Sequence, residues 1–557
     1  MERTAEGSAI RGLKRARRRP PIPVPRADRP RVSGFAGRRG RLSRMLAGMI
    51  ALGVIWRVAR FAACPPLWGD EAFIAVNLLV RDFAGLLRPL EYHQIAPIGF
   101  LWAELGVARV LGGSEWALRL IPFLSGLAAL GLFARFATRA VDRRSAVLAA
   151  GIFAASFYPV RHATEVKPYA TDLLLSLAIT GLAWSAWQDR GSPRRWLALA
   201  ATVVVGVWFS YPLIFVAAGV GLVLAAGVIR EPRRPAIVGL VAFWLTAAAS
   251  WLPFYAVFTR PQSLAAPLYT QLDTWRDAFP PWNRPWTLPY WLLDVHAGNM
   301  LAYPNGGNNF GSAATTVLVI AGILALRRRR PALLALLLAP LLPTFVASAF
   351  HRYPYGTSAR TSLYMAPAFC LLAGVGLWAL IRRLRGAGRR ARAYRLAVVA
   401  LGSMTVVATV ANVVWPYKNF EDGENRRVVR ELALLARPGD RWAVTDGIAA
   451  LPVSKKLMLE HWLQQAAEVR YNVLAKAPVP VLWKPDRAGL VGPFAGRTWL
   501  IVHRSGCPGF DEARLAADRA SLAGIAGPPR VVEFPMTRGE SITAYEFPAP
   551  VGRVPSP

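Results

Sequence analysis

The chain of 557 residues is 54% hydrophobic and 18% charged, with a formal net charge of +35. Its apolar residues run in blocks of about 20 separated by arginine clusters, a pattern that excludes a soluble enzyme and indicates a multi-spanning membrane protein. Positive charge placed between apolar blocks sets membrane orientation and does not point to nucleic acid.

Residues 1–44 carry fourteen Arg or Lys against three acids and are rich in proline. Residues 1–42 are therefore expected to form a disordered cytoplasmic arm, too polar to build a core and too long and basic for a cleaved signal peptide. Cys64, Cys370 and Cys507 give neither metal spacing nor a disulfide framework.

A first span near 43–63 leads outward, placing "LWGDEAFIAVNLL" (67–79) at the outer membrane edge. The apolar stretch 96–112 contains Glu104 and Arg109 and is short for a ~30 Å hydrocarbon core. It reads as an interfacial helix. Spans near 116–138, 146–160, 169–187, 196–210, 213–229, 236–258, 313–326, 331–349, 361–381 and 396–414 then put every compact arginine cluster on the cytoplasmic side. The expected fold is a polytopic α-helical membrane protein of about eleven spans, residues 43–415, with outer loops 64–115, 161–168, 259–312 and 350–360. From about 416 to 557 the pattern changes to short apolar strands and amphipathic helices, indicating a small extracytoplasmic α/β domain.

The unusual polar residues gather on the outer side. For Asp70 and Glu71 the structural reading is capping of a helix starting near Ala72. The functional reading is that one of the two, Asp70, faces a pocket and Glu71 supports it, because adjacent helical residues project about 100° apart. Pro168 suits a helix start near 169, which puts Asp172 one turn inside a span, paired in a salt bridge or functional. Arg60, Arg352 and Arg360 either snorkel to headgroups or grip a phosphate. Neither a phosphate-binding G-x-x-x-x-G-K-[ST] loop, nor H-E-x-x-H, nor a G-x-S-x-G elbow occurs, which disfavours an ATP-driven pump, a zincin and a serine hydrolase.

The succession "WGDEAFIAVNLL", "EYHQIAPIGFLW", "GGSEWALRLIPFLSGLAALGLF", "HATEVKPYATD" and "RYPYGTSARTSLYMAPA" resembles the bacterial membrane glycosyltransferases of family 39, relatives of protein O-mannosyltransferases and lipid A aminoarabinose transferases with the GT-C fold. The resemblance covers about residues 43–415. It implies transfer of a sugar from a polyprenyl-phosphate donor to a protein, lipid or envelope-glycan acceptor outside the inner membrane. Asp70 is then the essential acid, with Glu71 beside it and Asp172 as the second membrane-edge acid. Similarity also suggests that Lys167 and Tyr169 line the same cavity and that Arg360 approaches the donor phosphate; Arg60, His93, Gln94, Glu165, Arg352 and Tyr353 are further candidate donor and substrate contacts. A divalent metal is left open, with His93 and His296 as candidate ligands. The departure "HQIAP" from the family's usual His-Pro-Pro leaves the role of His93 open. A flippase of lipid-linked sugar and a non-catalytic membrane scaffold are the alternatives; a transporter requires paired ionisable residues mid-span, whereas these acids sit at the edge.

Overall fold

The computed structural model describes residues 33–265, 275–415, 420–445, 456–492, 494–504, 511–536 and 541–550. The basic arm over 1–32 and Cys507 lie outside the described residues. Residues 33–42, expected to be part of that arm, instead begin α1 (Ser33–Ala63). Once a packed helix exists, each further residue adds a hydrogen bond at little nucleation cost, and Arg and Ala propagate well.

Among the described residues eight helices are long and apolar enough to cross a membrane: Gly40–Ala63, Leu120–Ala140, Tyr169–Gln188, Leu213–Arg230, Arg234–Ala265, Pro331–Ala349, Leu363–Arg383 and Ala387–Val414. The other three expected spans fall on shorter helices: Arg143–Ala154, Pro193–Gly206 and Ala313–Leu326. The first of these continues as Phe157–Arg161 after a break at Ala155–Ser156. Helix Ala366–Arg383 is the centre of the bundle, packing on both Arg143–Ala154 and Ala313–Leu326. Gly374 and Gly376 permit this: a Cβ on them would stand 2.5 Å from Ala149 N and 1.8 Å from Leu318 O. Small residues thus replace hydrophobic drive with backbone approach, as expected where lipid is the solvent.

After α1 the chain passes Pro65–Pro66 and enters α2 (Gly69–Val80). Trp68 is its extended N-cap, and Glu71 accepts the Trp68 N–H at 3.4 Å. The helix therefore starts three residues earlier than the expected Ala72, with both acids in its first turn, where the dipole favours negative charge. α3 (Ile98–Leu111) lies against α2 and is not among the long spans.

The C-terminal region holds one sheet of order β2-β1-β3-β5-β4, formed by β1 (Arg441–Thr445), β2 (Val481–Trp483), β3 (Thr498–Arg504), β4 (Arg530–Pro535) and β5 (Ser541–Phe547). β1 is parallel to β2 and β3, and β5 is antiparallel to β3 and β4. Alternate residues build two cores: Trp442, Val444, Trp499 and Ile501 under helices Phe420–Leu435 and Lys456–Lys476, and Leu500, Val502, Tyr545 and Phe547 under Glu512–Ala526. Covering both faces explains why β3 reads as an unbroken apolar run.

Candidate active site

Asp70 stands where α1 has ended and helix Tyr169–Gln188 begins. Its Oδ1 lies 3.0 Å from Lys167 Nζ and its Oδ2 accepts from Arg360 Nη1 at 2.8 Å. The three side chains come from the first turn of α2, the 162–168 turn and the 350–362 segment, so the site exists only when three distant parts of the chain meet. Lys167 also donates to Gln94 Oε1 at 2.7 Å, and the Arg360 guanidinium lies 4.9 Å from the centre of the Trp275 ring. Burial disfavours the Asp70 anion, but Lys167 and Arg360 outweigh it and hold the carboxyl below its ordinary value. On Lys167 burial prevails, drawing the ammonium below the usual lysine value against the pull of Asp70.

Glu71 points elsewhere. Its two oxygens take Arg119 Nε at 2.8 Å and Nη2 at 2.6 Å, a bidentate pair with both partners almost fully buried. Arg119 further donates to the carbonyls of Pro65 and Pro66, and Glu71 Oε1 accepts the Val166 N–H at 2.9 Å. One acid of the pair therefore fixes both the entry to α2 and the turn that carries Lys167. From the other side Glu165 braces the same turn, bonded to Arg161 at 2.5 Å and His162 at 2.7 Å. Burial acts against the Glu165 charge, and His162 with Arg161 overcomes it, holding the carboxyl well below the glutamate range.

Asp172 is buried one turn into its helix, its N–H bonded to Pro168 O at 2.8 Å and its Oδ1 without a described partner. Tyr169 lies at the same helix start, its ring edge-on to His162 at 5.0 Å. Arg60 is engaged by Thr164 at 2.8 Å and Asn412 at 2.9 Å, behind the turn and with no described contact to Asp70. Tyr353 donates to Thr361 O at 2.9 Å, bracing the segment that presents Arg360. Arg352 and His93 are exposed. His296 is bonded to Leu292 O at 2.7 Å and lies 3.4 Å from the Tyr355 hydroxyl. Among the described residues no group of three or more His, Cys, Asp or Glu side chains is placed to hold a metal ion, and His93 and His296 do not assemble a donor set. Arg119 and Arg161 were not singled out from sequence; the available signal was an arginine at the end of an apolar block, in "SEWALRL" and "YPVRHATE".

Residues 96–254 match the family model described as dolichyl-phosphate-mannose-protein mannosyltransferase. No curated protein matches the sequence. The fold is similar to the crystal structure of ArnT from Cupriavidus metallidurans in the apo state, at 16% identity and TM-score 0.53, over 91% of this chain and 98% of that one. It is also similar to ArnT from the same organism bound to undecaprenyl phosphate, at 15% identity and TM-score 0.50, over 92% and 98%. Residues 96–254 are thus similar to that mannosyltransferase family, and the architecture of the chain is similar to the ArnT fold.

Proposed function

We propose that the chain transfers a sugar from a polyprenyl-phosphate-linked donor to a hydroxyl of a protein, lipid or envelope-glycan acceptor on the extracytoplasmic face of the inner membrane, with Asp70 as the catalytic carboxylate. The observation that carries this reading is the placement of Asp70 between Lys167 and Arg360. A lipid-phosphate ligand in the ArnT structure of similar fold supports the donor class.

The chemistry follows from the charges. A sugar phosphodiester carries one negative charge, and the departing polyprenyl phosphate gains a second as the anomeric C–O bond breaks. Two fixed cations therefore bind the transition state more strongly than the donor, which is the condition for acceleration. A phosphate that engages Lys167 and Arg360 also competes for Asp70's partners and releases the carboxylate to take the acceptor hydroxyl proton. The acceptor oxygen bonds to the anomeric carbon as the phosphate oxygen leaves, and the configuration inverts.

The test is transfer of radiolabelled sugar from a panel of polyprenyl-phosphate monosaccharides in membranes holding the wild type or Asp70→Asn at matched expression. Loss of about 10²–10⁴-fold is expected, the contribution of a positioned proton acceptor. Equal transfer by both proteins removes Asp70 from the mechanism, and no transfer from any donor by folded wild type overturns the functional reading.

A further inference from the structure

The C-terminal domain does more than sit beside the membrane bundle. Helix Lys456–Lys476 presents Val469 and Val473 to the sheet and, on its other face, Ala467 and Tyr471 to the core around α2. Tyr471 donates to Gly113 O at 3.0 Å, and Lys476 pairs with Glu115 at 2.8 Å. Gly69 meets the helix so closely that a Cβ there would stand 2.2 Å from Gln464 Cβ.

One contact leads to the site. Arg470, packed over Trp483 of β2 at 5.1 Å, pairs with Glu91 at 2.5 Å and reaches the Tyr92 hydroxyl at 3.4 Å. Tyr92 and His93 follow with φ of 58° and 53°, a left-handed pair of non-glycine residues that persists only where surrounding contacts impose it. Asn77 accepts the Glu91 N–H at 3.0 Å, and Tyr92 stacks on Phe73 at 5.1 Å. The strained pair delivers Gln94, whose Nε2 donates back to Tyr92 O at 3.1 Å and whose Oε1 takes Lys167. Arg470 and Glu91 thus begin a line of contacts that ends at the Lys167–Asp70 pair.

We propose that Arg470 is a positioning residue: through Glu91 and the left-handed Tyr92–His93 pair it sets Gln94 against Lys167, so that the C-terminal domain completes the active site. This rests on the functional reading above, in which Lys167 serves the donor phosphate.

The test uses full-length protein in detergent, as wild type, Arg470→Gln and Arg470→Lys. Acylation of Lys167 by a water-soluble amine reagent is followed by peptide mass spectrometry, with Lys476 as the reporter of domain docking. The expected result for Arg470→Gln is about tenfold faster labelling of Lys167 with Lys476 unchanged, since only the local segment opens. Arg470→Lys, which keeps the charge, returns most of the protection. The corresponding kcat for sugar transfer falls about tenfold in Arg470→Gln, the order expected from a misplaced charge. Unchanged labelling of Lys167, or equal acceleration at Lys167 and Lys476, overturns the proposal, the second because Arg470 then only holds the domains together. If wild type transfers no sugar, the transferase reading fails, while the labelling still decides whether Arg470 controls Lys167.

Discussion

Lys167→Met removes one of the two charges on Asp70 while keeping a side chain of similar reach. Lys167 Nζ is 3.0 Å from Asp70 Oδ1 and its side chain is only 6% exposed, so little solvent screens the pair. An opposite charge this close lowers a carboxyl by about 1–3 pH units, or roughly 1.4–4 kcal/mol. Asp70 is held below its ordinary value in the wild type, so its anion, and with it the proposed proton acceptor, is lost only as the pH falls through that depressed value. Without Lys167, burial is opposed by Arg360 alone, and the anion is lost at higher pH. The acid limb of kcat/KM, which reports the free enzyme, should therefore move upward by about 1–3 pH units in Lys167→Met. The assay is initial-rate transfer from the lipid-linked donor between pH 4 and 8 in mixed buffer of constant ionic strength, a range that the wild-type Asp70 limb does not reach and that the variant's limb enters. An acid limb coincident with that of the wild type would refute the claim that Lys167 sets the charge of Asp70, whatever happened to the rate at neutral pH.

Arg119→Met or Glu71→Met alone should lower unfolding stability by about 3–5 kcal/mol, because each leaves the other charge buried and unpaired, whereas the double variant should recover much of this loss. Thermal inactivation in detergent decides, and additive losses in the double variant would count against a coupled pair. For Glu165 the folded carboxyl is depressed, so its stabilisation is present above the unfolded value near 4.3 and disappears as the pH falls through the folded one. The Glu165 contribution to the stability difference between wild type and Glu165→Gln should accordingly shrink below about pH 4; a difference that does not shrink there would contradict it. A cysteine replacing the exposed Arg88 should react with an impermeant thiol reagent on intact cells, while one replacing Arg328 should react only after permeabilisation. The reverse pattern would invert the proposed topology.

Much of the bundle was legible because apolar blocks and arginine clusters each have a direct physical meaning in a bilayer. The break in 143–161 was missed although Pro159 in "LAAGIFAASFYPV" signals it: proline lacks the N–H and crowds the carbonyl four residues back, Ala155, where the first helix ends and Ser156 turns its hydroxyl to the Ile152 carbonyl. The start of α2 was misplaced because a tryptophan N-cap has no side-chain oxygen to advertise it; the signal was Glu71 reaching back to the Trp68 N–H. The divergence of Asp70 and Glu71 follows from helical geometry, but the partner of Glu71 does not, as Arg119 lies 48 residues away. The apolar character of β1 and β3 showed a buried sheet, whereas the order β2-β1-β3-β5-β4 depends on crossovers that no local pattern records.

The two adjacent acids differ most in how they are held. Glu71 is gripped by both prongs of a buried guanidinium that also fastens two backbone carbonyls, an arrangement with many bonds to break and no solvent to replace them. Asp70 has one contact from an ammonium and one from the partly exposed Arg360. The sequence has only seven lysines among its 67 basic residues, and between residues 15 and 417 Lys167 is the sole one. At the positions that orient the chain in the membrane, permanent charge is sufficient and arginine supplies it. Next to Asp70 the basic residue is a rotatable point charge whose ionisation shifts readily with burial, whereas a guanidinium stays charged at neutral pH. On the proposed mechanism a carboxylate that exchanges its cations for a proton during each turnover needs such a releasable partner, and the neighbouring acid, clamped by Arg119, keeps the turn in place.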